Sequence, residues 1–193
     1  MKIGVLALQG SFAEHQTMLR RIGAEVLQVR LPAQLDGLDG LIIPGGESTT
    51  IGKLAVTFGL IEPLRRFAAS HPVWGTCAGA ILLSRDAQRH QPLLGVMDIT
   101  IERNAFGRQV DSFEADLPVP ALSDPKRPFH AVFIRAPLIE TTGKGVEVLA
   151  RLPNGRASRI VAAQQGRLLA TSFHPELTND NRFHRYFLSL VGV

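Results

Sequence analysis

At 193 residues the chain is long enough for one domain with a sizeable core and too short for two full ones. Hydrophobic residues at 45% and charged residues at 20% exclude a disordered chain, and the lone cysteine excludes an internal disulfide and fits a reducing compartment. The formal charge of +4 invites a nucleic-acid reading, but the basic residues are scattered, with no run longer than a pair such as Arg20-Arg21 or Arg65-Arg66, and one Tyr and one Trp leave nothing to interleave with them for stacking on bases. No apolar run approaches the ~18–20 residues that cross a bilayer. The expectation is a cytoplasmic protein with a solvated basic surface that binds neither nucleic acid nor membrane.

In chain order, Lys2 to Leu8 reads as an apolar strand rather than a signal peptide, because Gln9-Gly10-Ser11 breaks it before any full hydrophobic region forms. Phe12 to Ile22 carries apolar residues at helical spacing and ends at Gly23. Strands are predicted over Glu25 to Leu31 and Asp39 to Ile43, the second closed by Pro44-Gly45-Gly46. A helical stretch from about Thr49 to Ala69 follows, with Gly59 and Pro63 expected to interrupt it. Pro72 to Thr76 is the fourth strand and Ala78 to Ser84 the next helix. Alternation of this kind predicts a parallel sheet covered on both faces.

The second half differs. Val110 to Leu117, Ala131 to Ala136, Val146 to Leu152, Ile160 to Gln164 and Leu168 to Phe173 are β-type runs with short connections, the last two joined as a hairpin would be. They read as antiparallel strands added to the sheet edge, and Asn181 to Val191 as a closing amphipathic helix. With no repeat, low-complexity tract or linker, residues 1–193 read as a single α/β domain.

Three segments carry chemistry. Cys77 lies in Gly75-Thr76-Cys77-Ala78-Gly79, between a predicted strand and a predicted helix. This is the cysteine counterpart of the nucleophile elbow: a sharp turn presents the nucleophile, and glycines two before and two after remove the collisions that side chains would cause. A helix start beside the sulfur favours thiolate. A thiolate needs a base, and the base an orienting carboxylate. Of six histidines, His174 in Ser172-Phe173-His174-Pro175-Glu176 follows the last apolar strand. Pro175 biases it to an extended conformation, in which Glu176 shares its face and can hold one ring nitrogen while the other points at Cys77. His15 and His184 read as surface or packing residues, and His71, His90 and His130 as boundary or loop residues. Finally, Pro44-Gly45-Gly46-Glu47-Ser48-Thr49-Thr50 presents bare backbone N–H groups where an oxyanion could develop, with Ser48 or Thr49 placed to cap the helix. It lacks the spacing of a phosphate loop. Scattered histidines and one cysteine give no metal-ligand spacing.

These residues resemble the class I glutamine amidotransferase family, and the likeness narrows to the branch that serves pyridoxal 5′-phosphate synthases. It covers nearly the whole chain. The elbow and His-Pro-Glu mark the wider family; Arg103-Asn104-Ala105-Phe106-Gly107-Arg108-Gln109-Val110-Asp111-Ser112-Phe113 and Gly-Gly-Glu-Ser-Thr-Thr select the branch. The resemblance implies a flavodoxin-like, doubly wound, mostly parallel sheet with antiparallel edge strands and a Cys77-His174-Glu176 triad. It implies an oxyanion hole from the N–H groups of Gly46 and Ala78, and glutamine contacts from Gly46, Glu47, Ser48, Arg103, Ile134 and Arg135. No cofactor and no metal are implied. The implied partner is a (β/α)₈-barrel synthase subunit that receives the ammonia, with the loop around Gln9-Gly10 a candidate contact. Departures from the family pattern are the proline-rich Pro118 to Pro128, a long connection from Arg151 to Arg159, and Ala at position 105. Competing readings are a glutaminase serving imidazole glycerol phosphate, anthranilate or guanylate synthesis, a hydrolase using the elbow on other substrates, and a non-catalytic binding subunit.

Overall fold

A computed structural model describes residues 1–103, 112–152 and 159–192. The strands are β1 (Lys2–Leu6), β2 (Glu25–Val29), β3 (Gly40–Ile43), β4 (Val73–Thr76), β5 (Ser84–Asp86), β6 (Met97–Glu102), β7 (Ser112–Leu117), β8 (Phe129–Ile134), β9 (Leu138–Thr142), β10 (Val146–Arg151), β11 (Ile160–Gln165) and β12 (Leu168–Thr171). The helices are α1 (Phe12–Arg21), α2 (Ser48–Thr57), α3 (Ile61–Ser70), α4 (Ala78–Leu83) and α5 (Arg182–Val191).

The main sheet runs β2-β1-β3-β4-β12-β11-β9-β6-β5, with β10 also paired to β11. From β2 to β12 every pairing is parallel. Strand β11 is antiparallel to both β12 and β9, and β9 is antiparallel to β6. The β11–β12 hairpin forms as the sequence predicts, but β12 is not an edge addition. It lies beside β4 in the middle of the sheet, because its apolar Leu-Leu-Ala-Thr is buried on both faces. The run before Leu117 and the one around Ala131 are also placed differently. They pair with each other as β7–β8, a separate ribbon, and are not part of the main sheet.

Side-chain alternation divides the core in two. Leu41, Ile43, Val73, Leu168 and Ala170 point to one face, where α2, α3 and α4 cover them with Ile51, Ala55, Leu64, Leu82 and Leu83. Ile42, Trp74 and Leu169 point to the other, under Leu19 of α1, Phe183 and Phe187 of α5, and Phe129 and Phe133 of the ribbon. Successive strand residues face opposite ways, so one strand supplies both cores.

The helical stretch after β3 breaks once. Gly59 has φ +66°, a left-handed conformation that stops α2 at little cost. Pro63 does not interrupt anything: it is the third residue of α3, among the first-turn positions whose N–H groups have no helical acceptor. Arg182, 5% exposed, holds down the proline-rich connection before β8 by donating to the carbonyls of Asp124, Arg127 and Pro128 at 3.2, 2.7 and 2.9 Å, while Asp180 binds the same guanidinium at 2.6 Å.

Candidate active site

Parallel pairing brings the chemistry together. Thr76 at the end of β4 is in register with Thr171 at the end of β12, so the segments that follow leave the sheet side by side. The Cys77 N–H donates to the Thr171 carbonyl at 2.7 Å. Cys77 has φ +48° and ψ −105°, a conformation that L side chains seldom adopt and that marks a strained elbow. The flanking glycines are required sterically. A Cβ on Gly79 would lie 1.9 Å from the Ile43 carbonyl oxygen, and one on Gly75 would lie 2.5 Å from the Gly79 carbonyl.

His174 is fixed at both ends. Its backbone N–H donates to the Val132 carbonyl of the ribbon at 2.8 Å, and its Nδ1 lies 2.8 Å from Glu176 Oε1. An ionised carboxylate can only accept, so Nδ1 carries the proton and Nε2 is left for Cys77. Burial works to lower the His174 pKa, but the Cys77 and Glu176 side chains outweigh it and push it up to about 10. Burial would likewise raise Glu176, yet His15, His174 and Ser11 hold it down at about 2. The local geometry differs from the extended segment that the proline suggests. Pro175–Leu177 form a 3₁₀ turn, and it is this turn that folds Glu176 back onto His174.

The Gly-Gly loop faces this pair. Ser11 N–H donates to the Gly45 carbonyl at 3.0 Å, and Glu47 N–H donates to Gln9 Oε1 at 2.7 Å. Neither Ser48 nor Thr49 caps α2. Glu47 does, accepting from Thr49 N–H at 3.2 Å and Thr50 N–H at 2.7 Å. Burial opposes ionisation of Glu47, and these bonds with the Thr50 hydroxyl hold its carboxyl down at about 2. Arg103 reaches the same loop, with Nη2 3.3 Å from Glu47 Oε1 and Nη1 donating to Gln91 Oε1 at 2.7 Å.

Between these walls lies a cleft of about 370 Å³. Cys77, Ala78 and His174 line its floor; Gly46, Glu47, Ser48 and Arg103 line one side, and Ile134 and Arg135 the other. Arg135 shares the elbow's peculiarity, with φ +42°. Each site residue expected from the sequence is therefore at this cleft, except Glu176, which sits behind His174. Larger clefts of about 490 and 580 Å³ lie elsewhere; the first carries an exposed Ser70 Oγ 2.9 Å from His71 Nδ1, but neither is lined by the elbow cysteine, so size does not locate Cys77. Of the segment that selects the family branch, residues 104–111, including Ala105, lie outside the described residues, as do 153–158 of the long connection.

Sequence reasoning misses four polar contributors. Gln91 sits in a loop with no pattern to single it out. Ser11 donates to Glu176 Oε1 at 2.6 Å. His15 and His184, read as surface or packing residues, are completely buried behind the triad. A signal existed for His15: it falls on the face of α1 that carries Met18 and Leu19, three and four residues on.

A cysteine on a strand-to-helix elbow, beside a histidine–glutamate pair in the turn that follows the neighbouring parallel strand, places the chain in the class of α/β proteins with an elbow thiol. Residues 5–192 match the SNO glutamine amidotransferase family, and the chain belongs to that family. A relative from Herpetosiphon aurantiacus, the pyridoxal 5′-phosphate synthase subunit PdxT, is 62% identical over 195 residues, covering 98% of this chain and 100% of the relative. The protein of the same description from Roseiflexus sp. is 59% identical over 194 residues, with the same coverage. A crystal structure described as a glutamine amidotransferase superposes with a TM-score of 0.91 at 53% identity, covering 99% of both chains. A chain in the structure of PurLQS from Thermotoga maritima matches with a TM-score of 0.73 at 16% identity, covering 97% of both chains; this likeness shows the fold alone.

Proposed function

We propose that this chain, residues 1–193 acting as one domain, hydrolyses L-glutamine to L-glutamate and ammonia as the glutaminase subunit of a pyridoxal 5′-phosphate synthase, and passes the ammonia to a (β/α)₈-barrel synthase subunit. The observation that carries the chemistry is the Glu176–His174 pair set against the elbow cysteine. Family membership and the names of the relatives support the substrate and the customer.

In this reading His174 Nε2 takes the Cys77 thiol proton, and the resulting thiolate attacks the side-chain carboxamide carbon. The carbonyl electron pair moves to oxygen, and the resulting oxyanion is met by the N–H groups of Gly46 and Ala78. His174 Nε2–H gives its proton to the departing nitrogen, which leaves as ammonia when the tetrahedral centre collapses to a thioester. Water then attacks the thioester carbon while His174 takes its proton; collapse releases glutamate and restores the sulfur. Glu176 holds Nδ1–H throughout, so the ring keeps one orientation in both half-reactions. At the other end of the substrate, Arg103 offers a cation for the α-carboxylate and Glu47 an anion for the α-ammonium. Ser48, Ile134 and Arg135 complete the walls.

The loop around Gln9-Gly10 opens onto the same cleft and is the proposed contact for the barrel subunit. Among the described residues no helix is long and apolar enough to cross a membrane, and we place the complex in the cytoplasm. The test is glutamate release from glutamine by the chain alone and with the barrel subunit. Release that rises with the partner and is lost in Cys77→Ala is expected; no release in either condition would reject the assignment.

A further inference from the structure

Behind the triad lies a second set of ionisable side chains that the reaction above does not use. His15 of α1 and His184 of α5 are both fully buried and lie side by side, His15 Nδ1 being 3.0 Å from His184 Nε2. The other nitrogen of His15, Nε2, is 3.3 Å from Glu176 Oε2 and 3.2 Å from Thr76 Oγ1. Trp74 meets both rings edge-on, with centroids 5.7 and 5.0 Å away, and so fixes their planes.

The proton positions follow from the surroundings. If His15 Nε2 were bare, its lone pair would face an ionised carboxylate oxygen in a buried site. The proton therefore sits on Nε2, hydrogen-bonded to Thr76 Oγ1 and within ion-pair distance of Glu176 Oε2. Nδ1 of the neutral ring must then accept, which puts a proton on His184 Nε2 and leaves His184 Nδ1 without one. That atom has no hydrogen-bond partner among the described residues. A bare acceptor there is the cheaper orphan, since buried N–H donors without partners are the rarer case. The two rings are thus a directed pair, each donor aimed toward Glu176. Burial, first of all, keeps both in the neutral form that this arrangement needs.

The need for such a pair is visible at Glu176. Both Ser11 and His174 donate to Oε1. Oε2 is buried and accepts no hydrogen bond among the described residues, and His15 Nε2, 3.3 Å away, is the polar group that faces it. Without that approach the carboxylate could rotate about its last bond, exchange its two oxygens, and loosen its hold on His174. We infer that His15, oriented by His184, is a positioning residue for the reaction, its Nε2–H, 3.3 Å from the second oxygen of Glu176, drawing that oxygen by charge and so setting the plane in which His174 is held. This rests on the triad proposed above, and acts through Glu176 without touching substrate.

The charged and titratable groups that face His15 are Glu176 and His174 from the turn after β12, Glu14 on its own helix and His184 from α5. A test must therefore separate a hydrogen bond from a change in local charge. His15→Leu removes the donor, and His15→Gln returns an amide N–H near the Nε2 position without a titratable ring. In complex with the barrel subunit, His15→Leu is expected to lower kcat about tenfold, the factor carried by one weakened bond to a charged group, with KM for glutamine unchanged. His15→Gln is expected to restore most of kcat, and His184→Phe, which keeps an aromatic ring against Trp74, to show a smaller loss of the same kind.

A second readout does not depend on glutamine turnover. The pH profile of Cys77 alkylation by iodoacetamide, in the full chain, reports the coupling of Cys77 to His174. It is expected to shift in His15→Leu and return in His15→Gln. Unchanged kcat and an unchanged alkylation profile in folded His15→Leu would overturn the inference and leave His15 a packing residue. Should His15→Leu fail to fold, His184→Phe and His15→Gln decide: wild-type behaviour in the first, or a loss in the second, overturns it. A wild-type chain that alkylates with this dependence but releases no glutamate would reject the glutaminase reading while leaving the positioning role standing.

Discussion

The two faces of the main sheet are built from different materials. One is aliphatic, its helices α2, α3 and α4 packing Leu, Ile, Val and Ala onto the strands with few polar groups. The other is aromatic: Trp74, Phe129, Phe173, Phe183 and Phe187 form a chain of edge-on, tilted and stacked rings, and among them sit the buried histidines. The difference is functional. Branched aliphatic side chains fill space without giving a polar group a preferred direction, and they suit the face that backs the short helix after Cys77. Ring edges and planes hold an imidazole at a fixed angle, and the aromatic face is where Glu176 and its neighbours must be oriented. Cys77 and His174 meet at the seam between the two.

The largest effects are expected at that seam. Cys77→Ala and His174→Asn should each reduce glutamate release by about 10³-fold or more, and the double variant should be no worse than either, because the residues act as one unit. Additive losses in steady-state assays would show that the two residues contribute separate activities. Within each face, truncation is next. Phe183→Ala on the aromatic side should destabilise the protein by about 3–5 kcal/mol and Leu82→Ala on the aliphatic side by about 2–5 kcal/mol, in urea unfolding. Only the first should also reduce activity in the folded fraction; equal losses of activity would erase the functional distinction between the faces.

A third effect is in acid. His15 and His184 have pKa values below the ordinary histidine value because burial disfavours the cation. The unfolded chain therefore binds more protons than the folded one once pH drops through about 6.5, and stability should decline progressively as pH falls further. Glu176, held at about 2, adds to that loss from about pH 4.5 downward. Replacing both histidines by phenylalanine should flatten the decline between pH ~6.5 and ~5; an unchanged slope in pH-dependent thermal melts would mean other groups control it. The smallest effect is on the aliphatic side. Pro63→Ala should change stability by less than about 1 kcal/mol, since the position lies in a helical first turn.

The sequence was most legible where one physical rule acted alone. Alternating strands and helices up to Thr76 carry their own periodicity, and the Gly75–Gly79 spacing leaves few readings other than an elbow. It was least legible where distant segments decide. The short strands β5 and β9 offer little pattern: β9 is held at one residue pair to β11, and β5 has three residues, whereas β6 alternates, with Met97, Ile99 and Ile101 buried, and goes unread all the same. The pairing of β7 with β8 instead of with the sheet depends on Phe113 and Phe133 stacking with centroids 4.5 Å apart, a long-range match that no local window contains. Cys77, His174 and Glu176 could be picked out by chemical type and spacing. His15 could be placed on a buried face but not given a role, because a histidine on an apolar helix face reads as packing until the residue opposite it is known.

The order of strands also bears on how the protein comes into being. Trp74 and Thr171, joined side chain to side chain at 3.1 Å, are 97 residues apart, so β12 enters beside β4 only by closing a long loop. Contacts of such long range form late, because their loop-closure entropy is met only after the intervening structure has condensed. On the ribosome, the strand that carries the thiol is made well before the one that carries its base. A nascent or partly folded chain therefore has Cys77 without His174 beside it, and any activity that needs the two together arrives with the last strand.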